Sequence, residues 1–442
     1  MNLHSLLQQR HDQNKPVKVG LIGAGKFGAM FLSQVPTTPG LEVAAIADLD
    51  VDHAKQTLAQ VGWTDELVDQ TKFTDEANAL IMMDEIDVVV EATGNPRAGL
   101  IHAAKAIDCG KHLVMVNVEA DVLAGPALAK RARAAGLVYS LAYGDQPALI
   151  AEMVDWARTA GFRVTAAGKG TKYLPSYHFS TPDTIWDHYG LTAQEAQDAG
   201  MNAQMFNSFL DGTKSAIEMA AVANATGLAA PEAGLKFPPV GTGQLAQILK
   251  PKSAGGVLDQ TGMVETISSL NRDGSDVPDD LRWGVYCVFE APNDYAAQCF
   301  AQYGLQTDDT GRYAAMYKPF HLIGMELNIS IASACLRQEP TGSPQEFSAD
   351  VAAIAKRDLK PGDMLDGEGG YTVWGKIMPA ETSLQQNALP IGLADKITLK
   401  NPVARGEIIR CDDVTLDRTD PALTLRDEMI DQHTTQHSDD KS

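Results

Sequence analysis

From Val17 to about Ala148, short apolar runs alternate with stretches whose apolar residues recur at helical spacing. "VKVGLIGAG", "EVAAIADLD", "IDVVVEATG", "HLVMVNV" and "GLVYSLAYG" are continuous runs rich in β-branched residues, as strands buried on both faces of a parallel sheet should be. The intervening "PRAGLIHAAKAIDCG" and "AGPALAKRARAAG" have helical spacing and end in Gly. This rhythm predicts an α/β fold with a doubly wound parallel sheet over residues 1–148, in which 1–16 form an arm that folds as one helix. From about Gln146 the rhythm breaks. Long amphipathic helices mix with candidate strands such as "RVTAAGKG" and "RWGVYCVFEA", which predicts an α+β domain over 149–340. Beyond the polar linker "RQEPTGSPQEF", turn-rich segments predict a small β-rich module over 341–418. Residues 419–442 read as a polar, frayed tail.

Composition narrows the partners. At 442 residues the chain is too long for one ordinary core. Its net charge of -21 repels nucleic acid and anionic membranes, so neither is an expected partner. An anionic substrate would need a local cluster of cations. The polar start "MNLHSLLQQRHDQNKP" lacks an apolar signal core, and no apolar run reaches membrane-spanning length. Five separated cysteines without a CxxC pair argue against a disulfide framework or a zinc ribbon. A cytoplasmic location is expected.

The first strand runs into "GAGKFG", a GxGxxG turn. Gly23 permits the tight turn, Gly25 lets the backbone approach a pyrophosphate, and Gly28 allows close helix–strand packing. Lys26 and Phe27 lie between them. The second strand ends at Asp48, placed to accept from the adenosine ribose hydroxyls. Together these predict a Rossmann-type domain for NAD or NADP. Asp48, with Asp50 and Asp52 following, disfavours a 2′-phosphate and so favours NAD; NADP stays open, because Lys55 is within reach of that position. Thr93, Gly94 and Asn95 in "EATGNPRAG", and Asn117 and Glu119 in "VNVEADVLAGP", follow strands. They are candidate walls of the nicotinamide crevice, with helix capping the competing reading.

What is reduced must be decided by the second domain. "GKGTKYLPSYH" is expected to place Lys169, Lys172, Tyr173 and His178 on a Gly-containing loop, where two lysines flanking Gly170 suit a phosphate or carboxylate. "NSFLDGTKSAIEMA" reads as helix interrupted by Gly212, with Asp211, Lys214 and Glu218 on nearly one face. The apolar flank of Phe209, Leu210, Ile217 and Ala221 marks that face as the border of a buried groove. A Lys214 ammonium there would protonate a carbonyl oxygen as hydride arrives. "RYAAMYKPFHLIGMELNISIASACL" brings Tyr317, Lys318, His321 and Glu326 before or into the start of a helix. His321 is its sharpest candidate, and Lys318 an anion contact.

"GLIGAGKFGAMFL", "AAGKGTKYLPSYHFSTPDTIWDHYG", "MFNSFLDGTKSAIEMAAVANATGL" and "YKPFHLIGMELNISIASA" together resemble the 1-deoxy-D-xylulose 5-phosphate reductoisomerase-like (DRL) family. The resemblance implies a homoserine dehydrogenase-like cofactor domain and a C-terminal SAF module over "KRDLKPGDML…LPIGLADKITLKNPVARGEII". "DGTKSAIEMAAVANATG" is also similar to the homoserine dehydrogenase helix whose Lys stands opposite the nicotinamide; Lys214 matches it. A homodimeric NAD(P)-dependent oxidoreductase of a small polyol or sugar derivative, with or without a phosphate, is implied. Reductoisomerase chemistry would need a divalent metal, Mg or Mn, for which Asp211, Glu218 and Glu326 are carboxylates without a ligand spacing. A plain dehydrogenase of a sugar acid, polyol or homoserine-like alcohol is the alternative enzyme. A non-catalytic dinucleotide sensor is the reading from another class.

Overall fold

The computed structural model describes residues 2–198 and 201–439, with side chains described as far as residue 435. The buried β-branched runs become six parallel strands: β1 (Val17–Ile22), β2 (Leu41–Ala47), β3 (Lys72–Thr74), β4 (Val88–Glu91), β5 (His112–Met115) and β6 (Tyr139–Leu141). Their order is β3-β2-β1-β4-β5-β6, that of a doubly wound dinucleotide-binding sheet. The order reverses between β1 and β4, which leaves a crevice beyond the carboxyl ends of those strands. Leu3 and Leu7 of the helix Leu3–Asp12 join the apolar core, as do Phe31 and Leu32 of the helix that follows the glycine turn.

The chain divides into two compact units, each assembled from separated segments. The first comprises Met1–Glu152, His321–Glu346 and Thr419–Ser442; the second comprises Met153–Phe320 and Phe347–Arg418. Residues 321–340 were expected at the end of the middle domain and 341–346 at the start of the β-rich module. Instead Leu327 and the face of the helix Asn328–Arg337 that carries Ile331 and Ala332 join the core of the parallel sheet. The expected tail is the helix Pro421–Asp439. Ala422, Leu425 and Met429, three and four residues apart, are buried together with Leu423 among polar residues. Arg97 pairs with Asp420 at 2.7 Å, and Arg131 pairs with Glu428. A sparse apolar stripe escapes notice in a polar sequence, yet it suffices to dock a helix.

In the second unit a four-stranded sheet has the order β10-β9-β7-β8. Its strands are β7 (Arg163–Thr171), β8 (Met263–Ser268), β9 (Val285–Glu290) and β10 (Tyr313–Lys318). β7 and β8 are parallel and the other pairings are antiparallel, an α+β arrangement. The β-rich segment forms two short antiparallel ladders. One pairs β11 (Ala349–Ala355) with β13 (Val373–Pro379), and the other pairs β12 (Met364–Asp366) with β14 (Asp395–Thr398). This segment is part of the second unit. Asn224 Oδ1 accepts from the Ser348 and Ala349 amides at 2.9 and 2.8 Å, and Gly375 N donates to Thr213 Oγ1 at 2.8 Å. All five cysteines are free. No helix among the described residues is long and apolar enough to cross a membrane.

Candidate functional site

The glycine turn has the geometry its residue types require. Gly23 has φ +96°, and a β-carbon there would stand 2.7 Å from the Ala92 carbonyl oxygen. At Gly28 it would stand 2.6 Å from the Gly23 oxygen, whereas at Gly25 nothing lies within 4 Å. Two glycines are therefore needed for packing, and the third leaves open space for a ligand. Lys26 is exposed at the helix start, while Phe27 packs against the core. Asp48 Oδ2 accepts from Ala24 N at 2.7 Å and Oδ1 from Asp50 N at 2.9 Å. The carboxylate is thus fixed beside the turn, with lone pairs left for a ribose.

At the carboxyl ends of β4 and β5 the candidate residues act as caps. Asn95 Oδ1 accepts from Ala98 N at 3.0 Å and Asn117 Oδ1 from Ala120 N at 3.1 Å. Asn117 Nδ2 donates to the Asn95 carbonyl at 2.9 Å and so ties the two loops together. The Thr93 hydroxyl donates to Glu91 at 2.6 Å, and Gly94 takes φ +67°. Glu119 lies in the first turn of the helix Val118–Ala134. These residues shape the loops; the open face above Gly25 and the Asp48 carboxylate fit a dinucleotide.

Deeper in this unit, Asp121 is completely buried and accepts from the Tyr139 hydroxyl at 2.8 Å. Burial pushes its carboxyl up to about 7, against the lowering effect of that hydroxyl. A folded-state value above the unfolded one means a contribution to stability that is complete below the unfolded value and is lost as pH rises through about 7. Asp121→Asn keeps the acceptor and removes the titration. Thermal melts across this range should show wild type losing a few kcal/mol relative to the variant as pH rises, at about 1.4 kcal/mol per pK unit. Parallel curves would remove Asp121 as the titrating group.

The charged stretch in the second unit is two helices, Ala203–Leu210 and Thr213–Thr226, because Gly212 sits at φ +89° between them. Asp211 is completely buried at the joint. Its Oδ1 accepts from Thr213 N at 2.8 Å, and its Oδ2 lies 2.8 Å from Lys356 Nζ. That contact is electrostatic: Oδ2 has no well-aligned donor, and Lys356 directs its hydrogen bonds to the Ser180 and Gly370 carbonyls at 2.8 and 2.7 Å. Lys169 lies within β7, not on a loop, and pairs with Glu218; both side chains are buried. Gly170 serves strand packing, since a β-carbon there would stand 1.9 Å from the Leu281 carbonyl oxygen. Lys172 donates to the His188 carbonyl at 2.5 Å and lies over the Tyr189 ring. Burial, and then Arg282, lower its pKa. Of the three charges on the stripe, Asp211 and Glu218 are thus buried and ion-paired, while Lys214 stays half-buried in the first turn of its helix.

The residue types that sequence reasoning underrated are aromatic. His178 contacts the Asp211 carbonyl through Nδ1 at 2.7 Å and the Tyr173 hydroxyl through Nε2 at 2.8 Å. A carbonyl only accepts, so Nδ1 carries the proton and Tyr173 donates to Nε2. Burial lowers the His178 pKa, with Asp211 opposing, and the ring is neutral at pH 7. The Tyr173 hydroxyl is pushed up to about 12, chiefly by burial. His178 stacks on Trp374 with ring centroids 3.8 Å apart, and Tyr173 stacks on Phe237 at the same distance. Glu265, buried, is raised to about 7 by burial; it accepts from the amides of Lys236, Phe237 and Thr266, which lower it. It thereby holds Phe237 at φ +49°. Trp374 and Lys356 lie far along the chain from this joint, and no local signal marks them.

Tyr317 and Lys318 lie on the edge strand β10, before the helix Asn328–Arg337. His321 and Glu326 belong to the first unit, where Glu326 accepts from Leu322 N at 3.3 Å. Among the described residues no group of three or more His, Cys, Asp or Glu is arranged to hold a metal ion. Asp211 and Glu218, two of the carboxylates considered for that role, each already neutralise a lysine. The residues present do not fit a divalent metal.

The sheet order and the glycine turn define a dinucleotide-binding domain. Residues 19–141 match the family model of the homoserine dehydrogenase NAD-binding domain. Residues 144–327 match the family model of the catalytic domain of oxidoreductase DRL. The chain therefore carries a nicotinamide dinucleotide-binding domain and a segment similar to an oxidoreductase catalytic domain, and it spans about half the length of several solved structures it matches. No curated protein matches the chain. Among solved structures it is similar to biliverdin reductase of Synechocystis sp. PCC 6803 in complex with biliverdin and NADP+. The identity is 22%, covering 36% of this chain and 48% of that one, with a TM-score of 0.28. A 3-ketoreductase of Actinomadura kijaniata in complex with NADP matches at 22% identity, covering 36% and 49%, with a TM-score of 0.25. An oxidoreductase domain protein of Kribbella flavida matches at 12% identity, covering 62% and 64%, with a TM-score of 0.31.

Proposed function

We propose that the protein is a nicotinamide-dependent dehydrogenase of a small hydroxy compound such as a sugar acid or polyol, working through proton transfer at Lys214 without a divalent metal. The observation that carries this reading is the pairing of the buried charges. Asp211 and Glu218 are buried against Lys356 and Lys169, and Lys214, half-buried at the first turn of the same helix, is the residue type on that stripe suited to move a proton. A bound dinucleotide would supply or take up hydride at the reacting carbon. The Lys214 ammonium gives its proton to the carbonyl oxygen in reduction, and the neutral amine removes it from the hydroxyl in oxidation. Asp48 supports NAD over NADP, because its carboxylate would repel a 2′-phosphate.

A second reading is favoured by the DRL catalytic-domain match over residues 144–327: rearrangement of a phosphorylated ketose such as 1-deoxy-D-xylulose 5-phosphate, coupled to reduction. It would need Mg or Mn. One assay separates the two. Protein dialysed against EDTA is given both coenzymes with sugar acids, polyols and 1-deoxy-D-xylulose 5-phosphate, and products are read by NMR. Metal-independent turnover with an unrearranged skeleton is expected. Strict dependence on Mg or Mn, with a branched product, would replace the dehydrogenase reading by the reductoisomerase one.

A further inference from the structure

Beside the joint between the helices Ala203–Leu210 and Thr213–Thr226 lies a cavity of about 50 Å³. At roughly 10–15 Å³ for each water it holds about three to five waters, the space of one small functional group and its nearest substituent. Gly212 and Ala216, one helical turn apart, form one wall, Gly234 and Phe237 another, and Trp374 and Lys376 of β13 a third. No carboxylate lines it. Lys376 is half-buried, and among the described residues its ammonium has neither an ion-pair nor a hydrogen-bond partner. Its aliphatic stem runs across Gly234, where a β-carbon would stand 3.0 Å from Cε and 3.2 Å from Cγ. A glycine at φ +86° is thus what lets the stem pass. The other ionisable wall, His178, is neutral and commits both ring nitrogens to Asp211 and Tyr173. Trp374 Nε1, a buried donor, finds no acceptor in the protein. The wall therefore offers an unneutralised cation amid apolar surface, in a chain of net charge -21.

We propose that this cavity binds the oxyanion head group of the substrate, a carboxylate or a phosphate, with Lys376 as its counter-charge. The inference rests on the oxidoreductase reading above, and it names the substrate class as an anionic hydroxy or carbonyl compound. An unpaired ammonium draws an oxyanion selectively out of a negative surrounding field, because the desolvated walls weaken screening. Lys376 is a binding residue, and it comes from the β-rich segment, which gives that segment a direct part in substrate selection.

The test needs no turnover. Calorimetric titrations with inorganic phosphate and with glycolate, without dinucleotide, are run on wild type, Lys376→Met and Ala216→Val, the last filling the cavity while keeping the lysine. At least one ion should bind wild type in the millimolar range, and both variants should weaken it about tenfold or more, equal to about 1.4 kcal/mol. Preference for one ion identifies the head group. Failure of both ions to bind wild type in the tens of millimolar, or equal binding by Lys376→Met, would overturn the site. Binding as expected in a protein inactive with every coenzyme and substrate would instead overturn the dehydrogenase reading and leave the anion site standing.

Discussion

Lys214→Met should abolish turnover, lowering kcat by about 10³-fold or more, within the range for loss of a positioned general acid. Dinucleotide affinity should stay within about twofold, since the glycine turn and Asp48 lie in the other unit. Stability should change little. Lys214 is half-buried at the first turn of its helix, so its truncation removes little buried apolar surface. Lys214→Arg is the stricter probe, because it keeps the charge but holds its proton across the accessible pH range. It should bind both ligands and still fail to turn over. The checks are single-turnover kinetics alongside coenzyme titration; a Met variant with near wild-type kcat would remove Lys214 from the chemistry.

Lys356→Met carries the largest expected cost in stability, about 3–5 kcal/mol. Lys356 and Asp211 have side chains 2% and 0% exposed and lie 2.8 Å apart. Removing the ammonium leaves the Asp211 carboxylate buried beside a single amide donor, and leaves the Ser180 and Gly370 carbonyls without their donor. The double variant Lys356→Met/Asp211→Asn removes the isolated charge and should recover much of the loss. Denaturant midpoints of the two variants decide the matter. Equal destabilisation in both would mean that the lysine's hydrogen bonds to the carbonyls, and not the pairing of charges, hold the joint.

The legible parts of this fold are those written within a few residues of one another. The buried runs of β1, β2, β4, β5 and β6 follow from continuous β-branched stretches, and the Gly23–Gly28 turn from spacing that only glycine tolerates. The candidate site was half legible. The helix carrying Lys214 was legible, but the same pattern hid the buried pairing of Asp211 with Lys356 and made Lys169 look like an anion contact when it is a buried partner of Glu218. A lysine between glycines on a loop and one on a crowded strand have the same local sequence. The difference is the Leu281 carbonyl, more than a hundred residues on, pressed against Gly170.

What the chain decides on its own is therefore local: strand and helix periods, the glycine turn, and the acidic residue at the end of β2, since each depends on neighbours within one element. Tertiary structure alone decides which charges are neutralised. Lys356 meets Asp211, Lys376 reaches past Gly234, and the segments 321–346 and 419–442 join the first unit through partners distant in sequence. Electrostatic and packing energies depend on distance in space and on burial, and neither can be read from position along the chain.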